Sequence, residues 1–175
     1  ALADVGAVAK NPEIRALRGV MLEALADPAH ATREALDALL GREFAHSLDA
    51  PSVALVAPVV HRGLRDRVAE TKRRAAVVVG NLAAMSTAEA VGPHFAALQP
   101  ALETAAVADA HPDVRLAAAL SLAQLVGSLG VHRLPFIVDR LADAALTRPP
   151  KSQEVGAILT VKSTGDENGG LPAGG

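Results

Sequence analysis

Residues 51–85 read PSVALVAPVVHRGLRDRVAETKRRAAVVVGNLAAM, and they decide the fold because the same pattern occurs on either side of them. An offset of 39 residues lays Pro12 on Pro51, Leu17 on Val56, Val20 on Val59, Met21 on Val60 and Leu25 on Leu64. It also lays Asp27 on Asp66, Arg33 on Lys72, Leu39 on Val78 and Gly41 on Gly80. An offset of 43 carries Leu55 to Leu98, Leu64 to Val107, Asp66 to Asp109, Lys72 to Arg115, Val79 to Leu122 and Leu82 to Leu125. The four extra residues fall before Leu98, where a loop insertion is expected.

A period near 40 with two helical segments per unit is the pattern of stacked helical hairpins of HEAT or armadillo type. The fold class is therefore all-α, a HEAT-repeat α-α superhelix (solenoid) of about three full hairpins with partial end units. The apolar periodicity predicts helices over 12–26 and 30–45, 51–65 and 69–85, 93–107 and 112–129, with a last one over 134–146. Asn11 before Pro12 is an N-cap candidate with proline at the first helical position, and Pro51 and Pro112 open helices in the same way. Pro58 and Pro100 fall inside first helices, where a missing N–H predicts kinks. Gly41 and Gly80 occupy equivalent places in second helices and predict close helix approach. Residues 1–10 read as the end of a preceding repeat helix, 11–146 as the array, and 147–175 as an irregular, disordered tail beginning near Pro149-Pro150.

Composition narrows the function. The 175 residues include 50% apolar ones, dominated by small side chains, with 3 Phe and no Trp or Tyr. Formal net charge is −2, which argues against a strongly basic nucleic-acid domain. The distribution is uneven: residues 51–100 carry six Lys/Arg against three Asp/Glu, while both flanks are acidic. Cysteine is absent, which excludes disulfides and thiol chemistry and fits a reducing cytosol. No apolar run is long enough for a membrane span, so no membrane is expected as partner. The six His (30, 46, 61, 94, 111 and 132) are widely spaced and form neither HxxxH nor HExxH, so no metal site is read from them. There is no GxxxxGK[ST] phosphate loop and no Ser-His-Asp arrangement, so neither an enzyme, nor a cofactor, nor a small-molecule substrate is expected.

Two sets of residues remain as candidates. The first is the recurring Asp-x5-Arg/Lys: Asp27 with Arg33, Asp66 with Lys72, Asp109 with Arg115. Each Asp closes a first helix and each cation opens a second. The expected role is structural pairing, across the turn or to the neighbouring unit. The second is the basic island HRGLRDRVAETKRR at 61–74. On a helical wheel Thr71, Ala75, Val78, Val79, Leu82 and Met85 share the core face, while Arg73 points to water. With Lys72 committed to Asp66, the residues Arg62, Arg65, Arg67, Arg73 and Arg74 form a candidate patch for phosphate or an acidic partner. The other reading is an ordinary solvated face. Without interleaved aromatics, base stacking on single strands is not expected.

The pattern FxHxxDAPSxALxxPxxxRGLxDRxxETKRxAA, from Phe44 to Ala76, goes well beyond generic HEAT. It resembles the HEAT segment shared by the fungal translation elongation factor three and the large general-control activator of the starvation-responsive kinase, the latter more closely. NPEIRALRGVMLEAL and ALQPALETAAVADAHPDVRLAAALSLAQLVGSLG resemble the activator as well, so the resemblance covers roughly 1–146. It implies a cytoplasmic, ribosome-associated scaffold that meets ribosomal RNA phosphate or a ribosomal protein. For the intact protein it implies an ATP-binding-cassette partner and a kinase that phosphorylates initiation factor two alpha during amino-acid starvation. The competing expectation is a protein-only adaptor of the importin, phosphatase-scaffold or tubulin-binding kind. The absence of Trp speaks against importin-like ladders.

Overall fold

The computed structural model describes residues 8–130 and 134–146. The readings made above for residues 1–7 and for 147–175 lie outside the described residues. The chain divides into two units, 1–141 and 142–175, and the described part of the second is the end of the last helix.

Eight helices are described: α1 (Pro12–Ala16), α2 (Arg18–Ala26), α3 (Pro28–Leu40), α4 (Ala50–Leu64), α5 (Ala69–Met85), α6 (Ala88–Ala108), α7 (Pro112–Leu129) and α8 (Leu134–Leu146). Three hairpins pair α2 with α3, α4 with α5, and α6 with α7. First helices stack on first helices (α2 on α4, α4 on α6) and second on second (α3 on α5, α5 on α7), giving two layers. The fold is an all-α array of repeating helical hairpins, a HEAT-type superhelix. One apolar cluster runs along the seam from Ala9 to Ile137, through Leu36, Val56, Val79, Leu102 and Leu125.

Local chemistry explains the boundaries. The Asn11 side chain accepts from the Ile14 N–H at 2.8 Å, and Pro12 opens α1 without sacrificing a needed donor. The expected single helix over 12–26 is broken at Leu17 (φ −91, ψ 1), just before the weak helix former Gly19. Helix α3 stops at Leu40 rather than at 45, with Gly41 at its C-cap. A Cβ at Gly41 would meet only the carbonyl of Asp37, in its own helix, so Gly41 is not a packing glycine. Gly80 differs: a Cβ there would stand 2.2 Å from Gln124 Oε1 and 2.9 Å from Ser121 Oγ, so its bare backbone lets α7 lie against α5.

The four inserted residues do not form a loop. They lengthen α6, which starts at Ala88 with Thr87 accepting from the Ala90 N–H at 3.3 Å. Pro58, Pro93 and Pro100 are carried inside unbroken helices. An internal proline deprives the carbonyl four residues earlier of its donor. For Pro58 and Pro100 those residues are Ala54 and Ala96, and both border surface grooves, where water can replace the missing donor.

At the opposite end of the helices, Asp49 joins the first hairpin to the second. Its carboxylate accepts from Lys10 N at 3.1 Å, Asn11 N at 3.2 Å and the hydroxyl of Ser52. Ser52 is fully buried, held by this bond rather than lying at the surface. Burial works to raise the Asp49 carboxyl; the Ser52 hydroxyl and the two backbone N–H groups outweigh it and hold the group below its usual value.

Candidate partner-binding surface

The basic island occupies the end of α4, the turn 65–68 and the start of α5. Its position is set by a glycine that sequence reasoning passed over. A Cβ at Gly63 would come within 2.9 Å of both Ala75 Cβ and Leu36 Cδ1. Only glycine lets the last turn of α4 settle between α3 and α5, which turns Arg62 and Arg65 outward. Arg62 Nη1 then donates to the carbonyl of Ala24 at 2.9 Å, across to the first hairpin. Ala24 lies in the last turn of α2, where carbonyls lack helical partners and a cation is favourable.

Two of the three recurring Asp residues, Asp66 and Asp109, share a job that the sequence did not disclose. Asp66 Oδ1 accepts from Val68 N at 2.7 Å, and Asp109 Oδ1 accepts from His111 N at 2.9 Å. Each carboxylate folds onto the N–H two residues on and fixes the turn. The cations six residues later therefore look elsewhere. Lys72 does not meet Asp66; its ammonium crosses to Asp109 Oδ2 in the next hairpin, with side chains 20% and 5% exposed. Arg115 Nη1 donates to the carbonyls of Asp109 and Ala110 at 3.0 and 3.2 Å. Asp27 meets His30 Nδ1 at 3.0 Å, and Arg33 is on the exposed side of α3. Burial raises the Asp109 carboxyl, but the Lys72 ammonium and the His111 N–H outweigh it and leave the group below its usual range.

Arg73 and Arg74, read as members of the candidate patch, are both engaged. Glu70 takes Arg73 through two bonds, at 2.9 Å from Nε and 2.7 Å from Nη2, and takes Arg74 Nε at 2.8 Å. Arg74 Nη1 also reaches Asp37 on α3. The hydrogen bonds from Arg73 and then Arg74 pull the Glu70 carboxyl down to about 2. Glu70 and Asp37 were missed as partners. A signal for the cross-hairpin contacts did exist, because the tied residues lie 37 apart for Lys72–Asp109 and Arg74–Asp37 and 38 for Arg62–Ala24, close to the repeat length.

Of the six cations, Arg65 and Arg67 remain. Both are exposed, and among the described residues neither guanidinium has a hydrogen-bond or ion-pair partner. They flank Asp66 on a turn that also exposes Val68. Arg65 stands between two inter-hairpin grooves. One, about 740 Å³, runs between α4 and α6, with Arg65, Lys72 and Asp109 at one edge and Ala97, Ala101 and Ala105 along α6. The other, about 710 Å³, lies toward the first hairpin, with Pro28, Pro58 and Arg62. A third groove, about 590 Å³ and almost wholly apolar, lies between the starts of α4 and α6; its His94 is pushed down by burial. Among the described residues no group of three or more His, Asp or Glu is gathered to hold a metal ion. No described helix is long and apolar enough to cross a membrane.

Residues 30–133, which span α3 to the end of α7, match the family described as Elongation factor 3/GNC1 HEAT repeat. The chain belongs to the elongation factor 3/GNC1 HEAT-repeat family. It is similar to protein ILITYHIA of Arabidopsis thaliana, 40% identical over 158 residues, covering 90% of this chain and 6% of that protein. It is 38% identical over 152 residues to the eIF-2-alpha kinase activator GCN1 of Saccharomyces cerevisiae, covering 87% of this chain and 6% of the relative. It is 38% identical over 145 residues to the human stalled ribosome sensor GCN1, covering 81% and 5%. The chain thus spans about a twentieth of the length of these relatives. As a HEAT-repeat segment of this family it is a scaffold of hairpins, and its recurring carboxylates serve turns and ties between them.

Proposed function

We propose that this chain is a non-enzymatic scaffold segment of a cytoplasmic, ribosome-associated translational regulator, and that it meets its partner through the turn carrying Arg65 and Arg67. The family supports the first part: relatives include a stalled ribosome sensor and an eIF-2-alpha kinase activator. The observation that carries the second is that these two guanidinium groups, alone in the island, are exposed and without a partner among the described residues. The contact is to ribosomal RNA phosphate or an acidic ribosomal protein surface. Arg62, Arg73 and Arg74 act from behind, holding the turn in place. Activation of the kinase, and any contact with an ATP-binding-cassette partner, belong to the intact regulator rather than to these hairpins. The competing reading, a generic HEAT adaptor without ribosome contact, has the grooves beside Arg65 in its favour.

The test is co-sedimentation of the chain with purified ribosomes at several salt concentrations. The variant Arg65→Glu/Arg67→Glu is expected to pellet less while keeping its helical circular dichroism. If both cations meet phosphate, the slope of log K against log salt falls by about 1.5 to 2 in the variant. Equal pelleting of the folded variant removes the contact from this turn, and no pelleting of either favours the adaptor reading.

A further inference from the structure

The groove between α4 and α6 lies inside the array, between the second hairpin and the third, and both of its walls are described. Its α6 wall is apolar along Ala97, Ala101 and Ala105. At the Asp109 end three ionic groups stand beside Arg65. Lys72 and Asp109 pair with each other, and the Asp66 carboxylate is folded onto the Val68 N–H. The Arg65 guanidinium has no such partner among the described residues, and the segment 61–67 carries three arginines against one aspartate. Toward the other end, Pro100 has no N–H to give the carbonyl of Ala96, and Ala96 lines the same groove. The groove thus presents an acceptor lacking its donor, an apolar middle and an unpaired cation, in that order. The groove toward the first hairpin does not repeat this set. The carbonyl deprived by Pro58 belongs to Ala54, on the third groove, and Arg62 is already spent on the carbonyl of Ala24.

We propose that the groove between α4 and α6 seats an extended segment of a partner protein. The segment donates a backbone N–H to the Ala96 carbonyl, lays small apolar side chains along the α6 alanines, and sets an Asp or Glu carboxylate on Arg65. This rests on the reading of Arg65 as a partner contact and adds the partner's class, a polypeptide. RNA would bring phosphates and sugar hydroxyls, which lose water against an alanine wall without recovering hydrogen bonds. A polypeptide carries all three complements in one strand: N–H donors at every residue but proline, apolar side chains and a carboxylate. Lengths agree as well. Ala96 and Ala108 stand about 18 Å apart along α6, a span that five or six residues of extended chain cover at about 3.3 Å each. A volume of about 740 Å³ with apolar walls and few polar groups suits an occupant of this size.

The experiment selects a phage-displayed library of random seven-residue peptides on the full chain and measures the enriched peptides by fluorescence anisotropy. Ala97 and Thr104 line the groove and are exposed, so Ala97→Trp fills it and Thr104→Glu charges it without touching the core; circular dichroism checks both folds. The enriched peptides are expected to share small apolar residues and one carboxylate, and to lose binding to both variants. Arg65→Glu should weaken them about tenfold, and Arg42→Glu, outside the groove, should not. Pro100→Ala is the sharpest arm: it gives Ala96 a helical donor, so it should weaken peptide binding about fivefold in a chain that is no less stable. No enrichment over Ala97→Trp, a consensus without a carboxylate, or full binding to Pro100→Ala overturns the proposal. Extracted ribosomal RNA that binds wild type but not Ala97→Trp overturns it in favour of RNA. Ribosome pelleting separates the two readings. Peptide binding without pelleting refutes the ribosome contact alone, and pelleting that needs Arg65 and Arg67 but ignores Ala97→Trp refutes the groove alone.

Discussion

At the scale of single residues, the most informative group is Lys72. It follows Thr71, which with Val78, Val79 and Leu82 is buried as the helical wheel predicts. Which of its two open partners Lys72 meets, across the turn or in the neighbouring unit, was not legible, because the six-residue step to Asp66 is local and the choice of Asp109 depends on how the hairpins stack. Removing the ammonium leaves the Asp109 carboxylate, 5% exposed, with only the His111 contacts. Lys72→Ala is therefore expected to destabilise by about 2 kcal/mol in urea unfolding, against about 1 kcal/mol for Asp66→Ala, which loses a turn bond. The carboxyl of Asp109 is lowered in the fold, so its contribution is present above the unfolded value of 3.8 and lost as pH falls further. Lys72→Ala should accordingly lose less stability than wild type between pH 5 and pH 2. Gly63 is the other residue of consequence. Gly63→Ala gains helix propensity, but Ala75 Cβ cannot retreat from a contact at 2.9 Å. The net expectation is a loss of about 1–3 kcal/mol in the same assay.

At the scale of elements, pairing and order were legible and lengths were not. Hairpins follow from apolar spacing and from prolines at helix starts, both local properties. The four-residue insertion could equally lengthen a loop or a helix, and residues 88–92 settle it: Thr87 caps, and Ala90 and Val91 are buried. The stop at Gly41 was missed because its alignment with the interior Gly80 suggested a common role. Pro100 sits inside α6 with the carbonyl of Ala96 at a groove. Pro100→Ala restores one helical donor on the solvent side, and the variant is expected to gain about 1 kcal/mol and to melt several degrees higher. A drop in melting temperature would show that the ring itself is needed in the groove wall.

At the scale of the molecule, the basic island changes meaning once the hairpins are stacked. Arg62 and Arg74 hold the middle hairpin to the first, and Lys72 holds it to the third. A cluster that reads as a partner surface is mostly internal wiring, and the display narrows to Arg65 and Arg67. The Arg65→Glu/Arg67→Glu variant is therefore expected to melt within a few degrees of wild type, whereas reversing Arg74 detaches two carboxylates and lowers the midpoint. The cross-hairpin ties also bear on how the array answers force. Among the described residues these three ties run between neighbouring hairpins, so a pull along the stack loads them in series. The exposed Arg74–Asp37 contact is the first to slip, and the shielded Lys72–Asp109 contact holds longer. An array tied in this way is expected to lengthen in steps when pulled in an optical trap, the Arg74–Asp37 step coming at the lower force.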